Sequence, residues 1–235
     1  NSTLGALRGQ TAGVNVTQNN GKLGTGYNIE IRGMNSINKS SSPLCVIDGV
    51  IGGDINAINP VDIERIDILK DVSATAIYGS RGSNGVIIVT TKSGQSGKTV
   101  VTYDGMVGFT TPTNLPEMFN GPEYVAYAKE AINGGSNHNP FVGREKENAD
   151  NGNFTDWLDY TLQNGFQTSH SVSLTGGSEK EKHIMSVGYV NQTGSIEGEQ
   201  MERFTLKLYS EGKVGNFSLG LSVNARYGNI DNGSR

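Results

Sequence analysis

The chain has 235 residues, a net charge of −4 and a mean hydropathy of −0.39, with 33 glycines and 6 prolines. Hydrophobic residues make up 34%, below the usual share for a soluble globular chain, so small and polar residues must fill much of the interior. The balance is too acidic for a nucleic-acid surface, and a single cysteine, Cys45, excludes both an internal disulfide and a thiolate metal site of its own.

The first ninety-odd residues read as a small mixed unit. Ser2–Arg8 suggests a helical turn ending at Gly9. Val14–Thr17 and Tyr27–Arg32 read as strands, the latter with Ile29 and Ile31 on one face. Leu44–Ile47, Asp48-Gly49 and Val50-Ile51 form a hairpin pattern with a type I′ turn. Within it Cys45 has apolar neighbours and reads as a buried structural thiol rather than a nucleophile. Arg65–Lys70 is a further strand, and Ser73–Tyr78 a short helix capped by Asp71 or Ser73 and ended by Gly79. Val86–Lys92 is the last strand of this unit.

Past the linker Gly94-Gln95-Ser96-Gly97 the pattern changes to long alternating segments. Thr99–Thr110, Ser169–Thr175, His183–Asn191, Arg203–Val214 and Phe217–Tyr227 each place apolar residues on one face and polar ones on the other. Phe204, Leu206 and Leu208 oppose Thr205, Lys207 and Tyr209; Phe217, Leu219, Leu221, Val223, Ala225 and Tyr227 oppose Ser218, Gly220, Ser222, Asn224 and Arg226. At about ten residues each, such strands suit a tilted bilayer crossing, and the apolar faces begin or end in Phe109, Phe204, Phe217 and Tyr227, as interfacial girdles do. The alternative is a water-soluble antiparallel sheet with one wet face.

Connection lengths decide between the two. Thr111–Thr168 is long and holds a helix pattern at Gly121–Ala131, with Pro122 in its first turn and Tyr124, Ala128 and Ala131 on one side. Gly176–Lys182 is short, Gln192–Glu202 longer, and Gly215-Asn216 only a turn. The alternation of long and short connections matches an outer-membrane barrel, with the Thr111–Thr168 insert external and its amphipathic helix over the barrel mouth.

Other motifs carry less. Gly79, Gly82 and Gly85 precede a strand instead of a helix, so no helix N-terminus faces a phosphate there, and a nucleotide-binding enzyme is a distant reading. The Asp150–Asp156 run lacks a calcium loop's spacing and reads as a solvated loop. His138, His170 and His183 lack metal-ligand spacing; the last two are expected to flank a turn and face water. No cofactor, metal site or catalytic set is argued by spacing, and an enzyme is not expected.

Ile31-Arg32-Gly33, Val46-Ile47-Asp48-Gly49-Val50, Asp62–Lys70 and Gly85–Lys92 resemble the plug elements of TonB-dependent outer-membrane receptors. The run LKDVSATAIYGSRGSNGVIIVTTKSG (69–94) is similar to the SusC/RagA branch in particular, and so are Thr155-Asp156-Trp157, Leu174–Ser178 and Gly188–Gly194. The resemblance implies an α+β plug at 1–97 and, at 98–235, the first five antiparallel transmembrane β-barrel strands of a 22-stranded barrel, with an external loop at 111–168. It further implies an outer-membrane transporter of glycans or peptides, working with a SusD-like lipoprotein lid and energised by TonB through an N-terminal box this chain lacks.

Five strands cannot close a barrel, so the remaining strands are expected in residues beyond this chain or in another chain, with Asn229–Arg235 opening an external loop at a nick or gap. Outer-membrane lipid is a further expected partner, and nucleic acid is not. Candidate substrate-contacting plug residues are Asn35, Ser36, Asn38, Lys39, Asp54 and Asn56; Arg32 and Arg81 are candidates for plug–barrel ion pairs. The rival class is a non-transporting structural or adhesive outer-membrane β-protein, which has no reason to carry a plug.

Overall fold

The computed structural model describes residues 13–18, 22–24, 27–31, 42–135 and 140–233. The expected turn at Ser2–Arg8 lies outside them, as do Arg32, Asn35, Ser36, Asn38 and Lys39.

β1 (Val14–Gln18) and β2 (Tyr27–Ile31) form an antiparallel ribbon. β3 (Leu44–Ile47), β4 (Val50–Ile51), β5 (Ile63–Leu69) and β6 (Val86–Thr91) form a mixed sheet in the order β4-β3-β6-β5, in which β3 and β6 run parallel. Central β6 is buried on both faces, which is why it reads as a near-continuous apolar run. Val86, Ile87 and Val89 are all buried. Ile87 and Val89 join Val16, Ile29, Ile31, Ile55 and Ile58 in one core, so the ribbon and the sheet share it.

The β3–β4 turn is made as the sequence suggests. Asp48 (φ 48°) and Gly49 (φ 84°) both take the left-handed conformation a type I′ turn requires. The Asp48 carboxylate accepts from the Thr91 amide at 2.8 Å and the Thr91 hydroxyl at 2.6 Å, tying the hairpin to the end of β6.

The expected helix at Ser73–Tyr78 is α1 (Val72–Thr75), continuing as a 3-10 segment, Ala76–Gly82, broken at Gly79 (φ 59°). The three glycines serve packing and turning. Gly85 (φ 91°) lies against Ile31, where a Cβ would come within 2.8 Å of Cδ1, and at Gly82 one would meet the Thr75 carbonyl at 3.0 Å.

β7 (Gly97–Thr110), β8 (Gly165–Gly177), β9 (Glu181–Thr193), β10 (Glu199–Val214) and β11 (Phe217–Asn232) form an antiparallel meander in chain order, open at both edges. They run 13 to 16 residues, longer than the sequence pattern suggests. Asn229–Asn232 is therefore strand, paired with Glu199–Glu202, and not the start of a loop. The β8–β9 and β10–β11 connections shrink to 178–180 and 215–216 at one end of the sheet; 111–164 and 194–198 connect at the other.

The long insert carries α2 (Gly121–Asn133), α3 (Arg144–Asn151) and α4 (Trp157–Thr161). Asn120 and Glu123 form a capping box at the start of α2. The more buried stripe of α2 is Gly121, Val125, Ala128 and Ile132; Tyr124 and Ala131, expected beside Ala128, are exposed, and Tyr124 lies edge-on to Phe141. The Asp150–Asp156 run divides between helices: Asp150 and Asn151 end α3, whose C-cap Gly152 is left-handed (φ 70°), while the Asp156 carboxylate caps α4 at Leu158 and Asp159.

Candidate functional site: the seam between plug and wall

The meander is turned inside out relative to a soluble sheet. One face exposes Val101, Val107 and Phe109 on β7, Val172 and Leu174 on β8, Met185 and Val187 on β9, and Phe204 and Leu208 on β10. On β11 Phe217 is 81% exposed, and Leu219, Leu221 and Tyr227 are open as well. The opposite face buries polar groups: Ser186 is 1% exposed and Lys207 2%, with Ser171 also buried. Burying lysine and serine while exposing leucine and phenylalanine is the reverse of folding into water, and suits a wall with hydrocarbon outside and a polar lumen inside.

The outer face is also zoned. Register aligns Gly105, His170, Tyr189, Phe204 and Tyr227 in one row across all five strands. Tyr189 and Phe204 are in ring contact at 4.8 Å, and the Tyr103 hydroxyl bonds His170 Nδ1 at 2.7 Å across the space Gly105 leaves. His170 is therefore mid-strand on the outer face, not beside a turn, whereas His183 lies near the β8–β9 turn, exposed and bonded to Ser210 at 2.9 Å. Next beyond this row, Tyr189 Oη and Asn191 both donate to the Glu202 carboxylate at 3.2 Å, where the surface becomes polar. The apolar band slides along the strands, from 101–109 on β7 to 217–227 on β11. Through the register its centre moves about five residues over four strand steps, which implies a tilt of about 40° between strands and the band's normal, as barrels require.

The polar face receives the small N-terminal unit. Lys207 Nζ donates to the Lys92 carbonyl, and the Lys92 amide donates to the Asp62 carbonyl at 2.8 Å, so a wall lysine clamps the point where β6 leaves its sheet. The Asp62 carboxyl is itself buried. Burial raises its pKa, opposed by the neighbouring Ser186 hydroxyl and by the Lys207 and Lys92 charges. The Ser186 hydroxyl lies beside Asp62 yet outside strict hydrogen-bond geometry with any described group. Asn59 caps its own 3-10 turn through Val61 N at 3.3 Å and reaches Thr205 Oγ1 at 3.5 Å; Gly188 leaves the notch it passes through. Gly94 of the linker lies so close to the His183 backbone that no Cβ fits. Leu23 packs with Val190 and Met201 as the one buried apolar cluster of this seam among the described residues.

Of the residues marked from sequence, Asp54 and Asn56 belong to this seam. The Asp54 carboxylate accepts from Asn56 N at 2.9 Å and Asn56 Nδ2 at 3.1 Å, and Arg226 Nη1 of β11 donates to the Asn56 carbonyl at 3.0 Å. Arg81 is exposed at the end of the 3-10 segment and makes no ion pair with a described residue. Cys45 is half-buried, and burial with the nearby Asp54 charge raises its thiol pKa. Sequence reasoning missed Lys207, Asp62 and Asn59 as partners across the seam, since the signal is a contact across 115 or more residues of chain. Among the described residues no group of three His, Cys, Asp or Glu is placed to hold a metal.

The model of the TonB-dependent Receptor Plug Domain matches residues 1–86, the unit that packs on the polar face. The chain is 37% identical to the TonB-dependent receptor SusC of Bacteroides thetaiotaomicron over 237 aligned residues, covering 96% of this chain and 22% of that protein. This chain is a SusC/RagA-type TonB-dependent receptor fragment. A TonB-dependent receptor of Formosa agariphila is likewise 37% identical, over 97% of this chain and 23% of its own length, so the chain spans under a quarter of the curated relatives it matches. Among solved structures it resembles the RagAB peptide transporter with a TM-score of 0.83 at 26% identity, covering 97% of this chain and 29% of that one. The RagAB peptide importer in its open-open state gives 0.82 at 25% identity, with coverage of 97% and 28%. The α+β unit is thus the plug, and the meander is barrel wall.

Proposed function

We propose that the protein to which this chain belongs is an outer-membrane active transporter that imports glycans or peptides, driven by TonB and covered by a SusD-type surface lipoprotein. The observation that carries this is the buried polar seam. A plug held to the wall by Lys207, Asn59 and Arg226 through single hydrogen bonds, with little apolar surface between them, can shift without breaking a hydrophobic core. An adhesive or structural barrel has no use for such a plug. The importer named in the RagAB comparison supports peptides as one substrate class, and the kinship with SusC supports the lidded branch.

In this reading the insert at 111–164 lies outside the cell, the short turns lie in the periplasm, and the remaining strands of a 22-stranded wall are supplied outside this chain. Phe119, Trp157 and Tyr160, exposed on the insert, are where a lid bears. The plug loop with Asn35, Ser36, Asn38 and Lys39, and the segment with Asp54 and Asn56, meet substrate. Arg32 pairs with a carboxylate of the wall, and Arg81, which meets no carboxylate of the five strands described, pairs with one on the strands outside this chain. The test is uptake of defined oligosaccharides and peptides by cells carrying the full-length protein, with and without TonB and the paired lipoprotein. TonB-dependent uptake supports the reading, and uptake indifferent to TonB refutes it.

A further inference from the structure

We propose that Arg203 and Arg226 form a carboxylate-binding subsite at the seam, facing plug segment 54–57, for an acidic end of the imported oligomer. This rests on the importer reading and narrows its substrate. Arg203 is paired with Gly228 and Thr205 with Arg226, so the two arginines are diagonal neighbours on the inner face. Diagonal positions lie about 7–8 Å apart, within joint reach of one planar anion. Gly228 opposite Arg203 leaves the space between them free of a side chain. They line a cleft of about 370 Å³ together with Asp54, Ala57 and Met201.

Among the described residues the charges in this cleft are unbalanced. Arg203 Nε is buried without a hydrogen-bond partner, and no described residue offers its guanidinium an ion pair. Arg226 spends one donor on the Asn56 carbonyl. Of the two carboxylates at the cleft, Asp54 holds its own turn through Oδ1 and is not ion-paired with either arginine, and Glu202 accepts from Tyr189 and Asn191 on the outer face. Two like charges side by side, Arg203 half-buried and Arg226 exposed on β11, repel until an anion joins them, and paired guanidiniums bind a carboxylate in forked geometry. Arg203 is also one residue from Phe204 of the aromatic row and beside a plug segment, so the cleft is level with one end of the apolar band, the end on the side of the long insert.

The same chemistry is present in a uronic-acid glycan and in a peptide C-terminus. Dissociation constants on the purified full-length transporter separate these sources, using a tetrapeptide against its C-terminal amide and an oligogalacturonide against its methyl ester. The expected result is that the acid of one pair binds about tenfold or more tightly than its neutral form. Arg203→Gln and Arg226→Gln remove that preference, and Asp54→Asn, which keeps the cap, increases it by removing a repelling charge. Equal binding of acid and neutral forms, no binding of either acid, or a preference that survives both arginine substitutions overturns the subsite. Because the readout is binding, the importer reading stands or falls separately: TonB-dependent uptake with no acid preference keeps the importer and loses the subsite.

Discussion

Replacing Lys207 by Met tests how the plug is held. Met keeps the length and apolar stem but removes the bond from Nζ to the Lys92 carbonyl. A hydrogen bond from a charged donor contributes about 1.5–3 kcal/mol, which corresponds to roughly a 10- to 150-fold change in a local opening equilibrium. The substitution also takes a compensating charge from the buried Asp62 carboxyl, so Asp62→Asn in the same chain should recover part of the loss. The assay is hydrogen exchange in the full-length protein, read on peptides covering β6 and the linker, since the Lys92 amide reports directly on its bond to Asp62. The pH dependence has a definite sign. The raised pKa means that the folded plug holds the Asp62 proton more tightly than the unfolded chain does. This group's cost to stability is absent below the ordinary carboxylate value of 3.8 and grows as pH rises through its raised value. Asp62→Asn should flatten that slope. Unchanged protection in Lys207→Met, or strictly additive effects in the double variant, would refute the clamp.

Asp48→Ala removes two bonds to Thr91, one of them to its amide, and should cost the plug about 2–4 kcal/mol, measured as lost exchange protection across β3 and β6. Gly85→Ala combines a positive φ with a clash on Ile31 and should destabilise the plug by about 1–3 kcal/mol, seen as faster proteolysis within 79–96. Leu206→Arg places a charge on the outward face between the aromatic row and the His183–Ser210 pair. It should cost about 2–4 kcal/mol in a reversible bilayer-folding titration, and Thr205→Arg should not show that depth-dependent penalty.

The two-part organisation was legible in the sequence because alternation survives wherever one face meets hydrocarbon and the other meets a polar lumen. Leu206 and Leu208 against Thr205 and Lys207 is such a case. The strand ends were not legible. Near Gln167-Thr168 and Asn229–Asn232 both faces become polar, so the period-two signal fades while the backbone ladder continues through partners on the next strand. The α2 stripe was misplaced by one position because Tyr124 finds an aromatic partner at the surface in place of burial. The helix at Arg144–Asn151 has local signals, a run of helix formers ending at Gly152, that the solvated-loop reading of Asp150–Asp156 obscured. At the candidate site, Asp54 and Asn56 could be singled out as polar turn residues. Their neighbours Arg203 and Arg226 could not, since only strand register brings them together.

The central claim is that the apolar face of the meander meets lipid while the polar face meets the plug. Its most direct test places single nitroxide labels at 204, 205, 206, 207 and 208 of the full-length protein in lipid vesicles and measures collision with oxygen and with a water-soluble nickel chelate. The account predicts a period of two, with oxygen contact high at 204, 206 and 208 and low for both reagents at 205 and 207 beneath the plug. The reverse phase, or water-soluble reagent reaching 206 as freely as a surface loop, would contradict it.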